Sequence, residues 1–581
     1  MKRFAAREGV LLLGLVVCSV HAGPPVGLAN QAYPEEDVFE VISQRRSMGR
    51  YDSQFDDSGW VDNPTYAVLM NGYVAMAGKD ALSFFDVSDP YNTPKVVATH
   101  RFSPRKQTIE NDGWGFTTGY GGVHAAVMDT NFLEIWDYAD HTNPVHVGTV
   151  SLPYPHNPGD LEPRRGGFGF PIGVAWQAPY LYSSMRNVGI DIIDVHDPAN
   201  PEAVHRLDAG FGQGNIQVVG NLLITGNYNG RGIAIYDISD PTNPELLDSE
   251  TKGDGASGWQ VWVNGNKLFR SGERVEVWDI SNPADMKHRS TFERDVECIN
   301  HDPDGPSHGH CSSGGVDTQD GYLFFGGSYF GIFKWDLETE TLIGKTGPYT
   351  KPGGDIENNH HHYDLDYPNV FGNLMVGASE DHYQGIFIAP HQAEPDNTPP
   401  EVNMVVPADG ETNQAVTSRV GLTFTDAVDA TSVSTGSVIL REEGGDALPG
   451  KYSFYKSIVN FSPDEPLKTG TTYEVVVPAG GVTDYVGNAT AATFTSRFST
   501  GNVVSIPSHE PPGRATTHLR GTRLDVRFLS DRTSTESRYH ENAQRCVYTI
   551  RGSKVPAQRA GLSSTQNSRI SRGIYIVSSD K

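Results

Sequence analysis

Apolar and polar residues alternate in short runs along the first 395 positions, the period of half-buried strands rather than of helices. “ALSFFDVSD”, “FLEIWDYAD”, “GIDIIDVHD”, “IAIYDISD” and “RVEVWDIS” are five such runs, and each leads into one Asp-rich turn. That turn reads “FDVSDPYNTP” at 85–94, “WDYADHTNP” at 136–144, “IDVHDPANP” at 193–201, “YDISDPTNP” at 236–244 and “WDISNPAD” at 278–285. A further strand follows it, as in “KVVATHRF”, “PVHVGTVSL” or “EAVHRLDA”. Upstream lies a strand pair joined by a tight turn, as in “YAVLMNGYVAMAG” and “VWVNGNKLFRSG”, where Asn-Gly between alternating runs is a strong hairpin signal. The repeating unit is therefore four antiparallel strands in about 40 to 55 residues. In its last turn Asp and Asn accept nearby backbone N–H groups, and Pro pre-sets a backbone angle.

Four-stranded units at this period pack face to face around a channel as β-propeller blades. Candidate blades span 65–104, 105–152, 165–210, 211–250, 255–293, 300–348 and 355–393; seven is the expected number, with six and eight as alternatives. The sixth keeps only “FKWDLETE” at its turn, and the seventh stops after a third strand, “YQGIFIAP”. “DVFEVISQRRS” (37–47) has the pattern of a fourth strand and is expected to complete that last sheet. A different pattern begins at “PDNTPPEVNMVVPADGETNQAV”, where Asp-Asn-Thr-Pro-Pro reads as a linker. Alternating strands between Gly, Pro and Asp turns then run for about 100 residues and predict a β-sandwich. The fold class is all-β, and 63 glycines and 37 prolines suit many turns.

Two resemblances follow from these motifs. The serial “D-[VI]-S-D-P-x-N-P” turn over residues 60–395 resembles LVIVD-repeat proteins, which implies a propeller (37–395 with the N-terminal strand) and a bacterial exported or surface setting. It implies no established reaction. The order “P-x-D-G”, “LTFTDAVD”, “L-x-x-G-T-T-Y-x-V”, “G-V-T-D-x-x-G-N” and “F-S-T-G” over 397–501 resembles bacterial Ig-like domains of the surface-layer type. That resemblance implies a spacer or stalk without chemistry.

Charge and termini narrow the setting. A formal charge of −26 argues against a nucleic-acid partner. Met1-Lys2-Arg3 and Arg7, the apolar “VLLLGLVVCSV” and the small residues of “VHA” read as a signal peptide over 1–22. Its eleven apolar residues are too few to cross a bilayer core, and no later segment is apolar enough, so the mature chain is expected to lack a transmembrane segment. Export makes a Cys298–Cys311 disulfide plausible, closing a short loop. Residues 503–581 carry thirteen Lys/Arg against six Asp/Glu, and the tail (502–581) reads as basic and disordered, with an anchor for an acidic polymer as the alternative.

Chemistry is harder to place. The chain has no G-x-S-x-G elbow, H-E-x-x-H helix, P-loop or C-x-x-C-H site. Long insertions fall between the last strand of one unit and the first of the next, on what is termed the top face, and long loops on a rigid scaffold commonly carry function. Two insertions are rich in metal-capable groups. His308 with His310, and His360 with His362, are two apart, so each pair can share a strand face and the four imidazoles can hold a transition metal. The plainer reading is a polar channel mouth. “HDPDG” reads as an Asp-Gly turn rather than a calcium loop. Glu110, Asp112, Trp114, Arg164, Arg165 and Trp259 are candidate ligand-binding residues, the Trp rings for a sugar or peptide and the Arg pair for an anion. Their plainer reading is inter-blade packing and solvated charge. The Trp residues of “WDY” and “WDIS” are read as core. Two functions stand: an exported binding or scaffold protein engaging an extracellular protein or glycan, or an exported metal-dependent hydrolase or oxidoreductase.

Overall fold

A computed structural model describes residues 30–501 apart from 47–65, 71–72, 78–80, 102–115, 120–123, 130–131, 141, 153–170, 186–188, 208–212, 228–231, 251–259, 273, 293–313, 328–330, 347–364 and 380–384. Within 502–581 it describes only four two- or three-residue strands. The chain divides into two compact units, Met1–Pro507 and Ser508–Lys581. In the second, Asp525–Val526, Cys546–Tyr548, Lys554–Val555 and Ile576–Ser578 pair into one sheet.

The first unit is a β-propeller followed by an Ig-like sandwich, and no α-helix occurs among the described residues. The propeller strands group, among those residues, into seven four-stranded antiparallel units. Their first strands are Tyr66–Met70, Phe116–Gly119, Pro171–Gln177, Gln213–Val219, Gln260–Asn264, Val316–Gln319 and Leu365–Phe371. From the second unit onward, each first strand lies beside that of the next, and the seventh also lies beside the first, so the units form a ring. Third strands such as Gly189–Asp194 and Gly232–Asp237 are buried almost throughout, whereas the following Glu202–Leu207 and Glu245–Glu250 are largely exposed. That gradient is what radial sheets produce: inner strands are sandwiched between neighbours and the outermost strand forms the rim. Trp136 and Trp278, the tryptophans of “WDY” and “WDIS”, are both 8% exposed, and each indole N–H bonds a buried Glu two residues before it.

Polar side chains on the first strands join one unit to the next. Gln177 donates to Gly220 O, Gln217 Oε1 accepts the Val263 N–H, Trp262 Nε1 donates to Thr318 Oγ1, and Gln319 donates to Gly372 O. Buried polar groups are tolerated in these places because they close hydrogen bonds across the sheet faces. In the seventh unit, Ser43–Arg46 pairs antiparallel with Gly385–Pro390, Ser43 opposite Ile388 and Arg46 opposite Gly385. An N-terminal strand is thus the outer strand of the sheet that holds the C-terminal end of the propeller.

The Ig-like domain has two sheets. One holds Val402–Val406, Val420–Phe424, Ile458–Pro463 and Gly450–Tyr455; the other Glu411–Gln414, Phe494–Thr500, Thr472–Val477 and Ile439–Glu442. Leu422, Phe424, Phe454, Phe461, Tyr473, Val475 and Phe498 fill the space between. A spacer on a linker was expected here. Instead, Gly450–Tyr455 continues into the sheet of the second propeller unit, Ser453 opposite Gly119 and Phe454 opposite Thr118. Asp-Asn-Thr-Pro-Pro is likewise no free tether: Asp396 is buried, and its N–H and C=O both bond Asn30.

Candidate functional site

The repeated turn is a double Asp lock. At the end of the third strand in each of the first five units an Asp carboxylate accepts the N–H two residues on: Asp86 from Ser88, Asp137 from Ala139, Asp194 from His196, Asp237 from Ser239 and Asp279 from Ser281. Three residues later the motif does this again, Asp240 accepting the Thr242 N–H and Asn282 the Ala284 N–H. Such turns satisfy backbone donors that no strand neighbour can reach. The apolar residue after the first lock, buried at Ile238 and Ile280 and half-buried at Leu337, ties this turn to the first hairpin turn of its unit. Ile238 N–H donates to Asn221 O, Ile280 N–H to Asn266 O and Leu337 N–H to Gly321 O. Both kinds of turn therefore lie at one end of the propeller.

The Ig-like domain sits on that end. Gly220, in a first hairpin turn with φ +57°, donates its N–H to Asn460 Oδ1 at 2.8 Å, and Asn460 Nδ2 returns a bond to Val218 O. Gly265 N–H donates to Thr423 Oγ1, Asn264 Nδ2 to Phe424 O, and Asp320 N–H to Thr425 O. Asn221 bonds Ser418 and the Arg419 N–H, while Thr417 bonds Ser239 O in the repeated turn itself. Lys456 donates to Asp317 Oδ2 at 3.1 Å and to Pro368 O, its ammonium 5.3 Å from the Trp262 ring centre. Ile458 is part of the same buried cluster as Val219, Trp262, Phe269 and Val316, with Val406 and Tyr455 packed against it. The two modules thus share a core. Apolar burial and matched hydrogen bonds act together here, which a flexible stalk would not provide.

Three carboxylates meet in this interface. Asp320 stands in the first hairpin turn of the sixth unit, Asp396 in the connector and Asp426 just after an Ig-like strand. Each offers an oxygen within 4.8 Å of the other two, and Asp396 and Asp426 are 2% and 1% exposed. Burial, and then the Asp396 and Asp484 charges, push Asp320 up to about 7. Burial and the neighbouring Asp320, Asp484 and Asp396 charges hold Asp426 well above the usual carboxylate range. Beside them Gln319 Nε2 reaches Asp396 Oδ2 at 3.1 Å as well as Gly372 O. Gly372 O also accepts from His391 Nε2, so His391 Nδ1 faces Lys334 Nζ at 3.1 Å as an acceptor. Burial, then the Lys334 charge, pushes His391 well below its ordinary value; burial brings Lys334 down to about 8.

The residues singled out in the sequence all fall outside the described residues. This holds for His308, His310, His360 and His362, for Glu110, Asp112, Trp114, Arg164, Arg165 and Trp259, and for Cys298 and Cys311. The strand ends from which their connectors leave and return, such as Arg101 and Phe116 or Phe292 and Val316, lie at the end opposite the docked domain. Sequence reasoning missed the acidic group. “TQDGY”, “PDNTPP” and “FTDAVD” each look like an ordinary turn, and nothing local links three positions spread over 107 residues, from 320 to 426.

Two solved structures are similar to the chain at low identity. The Cps50 (Swd1) β-propeller domain of Myceliophteria thermophila is 11% identical, with a TM-score of 0.41, covering 56% of this chain and 96% of that one. A computationally designed protein, Ika8, is 12% identical, with a TM-score of 0.38, covering 57% and 97%. No curated protein matches the chain. Residues 396–500 match the family described as a bacterial Ig-like domain, the sandwich docked on the turn end of the propeller.

Proposed function

We propose that this is an exported or cell-surface binding and scaffold protein whose propeller, of the LVIVD-repeat kind, recognises an extracellular protein or glycan. The observation that carries this reading is the docked Ig-like domain. It engages the second to seventh units at the turn end, which leaves the opposite end to face a partner. Rigid scaffolds that offer long connectors on one face commonly recognise ligands with them. Trp114 and Trp259 would supply aromatic surfaces, and Arg164 and Arg165 an anion contact. The four histidines would serve the same face, with or without a metal. Residues 1–22 would direct export, and 502–581 would follow as a basic tail.

Binding of the full chain to a glycan array and to surface proteins of the source cell tests this. A double variant, Trp114→Ala with Trp259→Ala, should weaken capture at least tenfold with unchanged melting, as loss of buried aromatic contacts does. Unaltered capture by that variant and by Arg164→Ala with Arg165→Ala would overturn the reading.

A further inference from the structure

The ammonium of Lys456 occupies a pocket whose walls belong to the propeller. Three neighbouring first strands build it, those of the fifth, sixth and seventh units. Asp317, in the sixth, accepts the Thr318 N–H on Oδ1 and the Val370 N–H on Oδ2, each at 2.9 Å. Trp262, in the fifth, is held by its Nε1 bond to Thr318 Oγ1 at 2.8 Å. Pro368, in the seventh, offers its carbonyl to Lys456 Nζ and stands opposite Gly377 in its own sheet. A carboxylate, a carbonyl and an aromatic face are groups that recognise an alkylammonium. All three are fixed by contacts within the propeller, so the pocket keeps its shape without the lysine.

The residue that fills the pocket comes from the other module and is not the one its backbone favours. Lys456 opens the two-residue turn of an Ig-like hairpin, with Tyr455 paired to Ile458, and its φ is +51°. Glycine or asparagine adopts that angle more readily. The Lys456 and Asp317 side chains are 10% and 5% exposed, so the pair is withdrawn from water as well. A strained backbone and a buried cation persist together where the surroundings compensate for both. We propose that the turn end of the propeller carries a primary-ammonium site, formed by Asp317, the Pro368 carbonyl and Trp262, which Lys456 fills as a tethered ligand and so masks. The ligand class is a primary alkylammonium, such as a lysine side chain of a second protein. It enters once the hairpin is lifted out. A cavity lined by Asn369, Phe371, Tyr455 and Tyr485 adjoins Asp317 and Lys456, so a small cation has space to arrive beside the carboxylate.

The test empties the pocket and refills it. In the full chain, Lys456→Gly removes the side chain while suiting the positive φ, and n-butylammonium reproduces the group removed. Calorimetry and thermal melting follow a titration with n-butylammonium chloride, with 1-butanol plus sodium chloride as the neutral control. The variant should bind butylammonium and melt higher as its concentration rises. At about ten times the dissociation constant the folding equilibrium should shift roughly tenfold. Wild type, its pocket filled, should show neither effect. Asp317→Asn added to Lys456→Gly should abolish binding, and it also removes the carboxylate left bare. If Lys456→Gly does not fold in plain buffer, butylammonium should restore the fold and 1-butanol should not. Neither binding nor rescue in Lys456→Gly overturns the proposal. So does equal binding by wild type, an equal response to 1-butanol, or binding that survives Asp317→Asn.

Discussion

Gly421 illustrates how closely the two modules approach. A Cβ built there would lie 2.0 Å from Gly220 N and 2.5 Å from Val219 C, backbone atoms that cannot rotate aside. Gly421→Ala should therefore cost about 1 to 3 kcal/mol, the usual range for overpacking. Gly436→Ala, where the nearest atom is 3.6 Å away, should be near neutral and serves as the control. Equal melting of the two variants would mean that the modules do not touch at Gly421. His391 gives a second test at this scale. Its folded pKa lies well below its ordinary value, from burial and then from the facing Lys334 ammonium. The unfolded chain takes up a proton near pH 6.5 that the folded one refuses, so stability is lost as pH falls below that value. The slope from this group approaches about 1.4 kcal/mol per pH unit. Urea unfolding at pH 7 and pH 5 should show a smaller loss for His391→Gln than for wild type. An identical loss in both would place the proton elsewhere.

At the scale of elements, the repeated turn and the N-terminal strand were both legible in the sequence, for the same physical reason. The carboxylate locks act over two or three residues, so Asp, Asn and Pro at fixed offsets spell them out, and the pattern of 37–47 marks a strand, which the structure forms at Ser43–Arg46 after a 3-10 turn at Glu35–Asp37. The docking of the Ig-like domain was not legible. Gly220 and Asn460 are 240 residues apart, and each has an adequate local explanation, one as a turn glycine and one as a strand residue. The acidic group failed for that reason too, and Asp-Asn-Thr-Pro-Pro has the composition of a tether although Asn30 and Gln319 hold its Asp396 in place. The N-terminal strand carries its own prediction. Phe39 N–H bonds Pro390 O, Ile42 N–H bonds Ile388 O, and Phe39 and Val41 pack on the Phe324–Phe387 cluster. Deleting 37–47 would bare the edge of Gly385–Pro390, and light scattering should then show aggregation. A monodisperse deletion variant with the wild-type melting temperature would contradict this.

On the scale of the whole first unit, the account depends on one end of the propeller being closed by the chain's own Ig-like domain. Shared burial around Ile458 and Trp262, the sheet continued from Gly119 to Ser453, and the hydrogen bonds of the hairpin turns all bear on that claim. Hydrogen exchange on the full-length protein tests it most directly. The amides of Gly220, Gly265 and Asp320 bond acceptors that belong to the sandwich, namely Asn460 Oδ1, Thr423 Oγ1 and Thr425 O. If the domain is docked, these turn amides should exchange as slowly as interior strand amides such as those of Ile224 and Phe269, because opening them requires the modules to part. Exchange at the rate of free surface turns, with the strand amides still protected, would mean that the Ig-like domain hangs clear of the propeller and that its turn end is open.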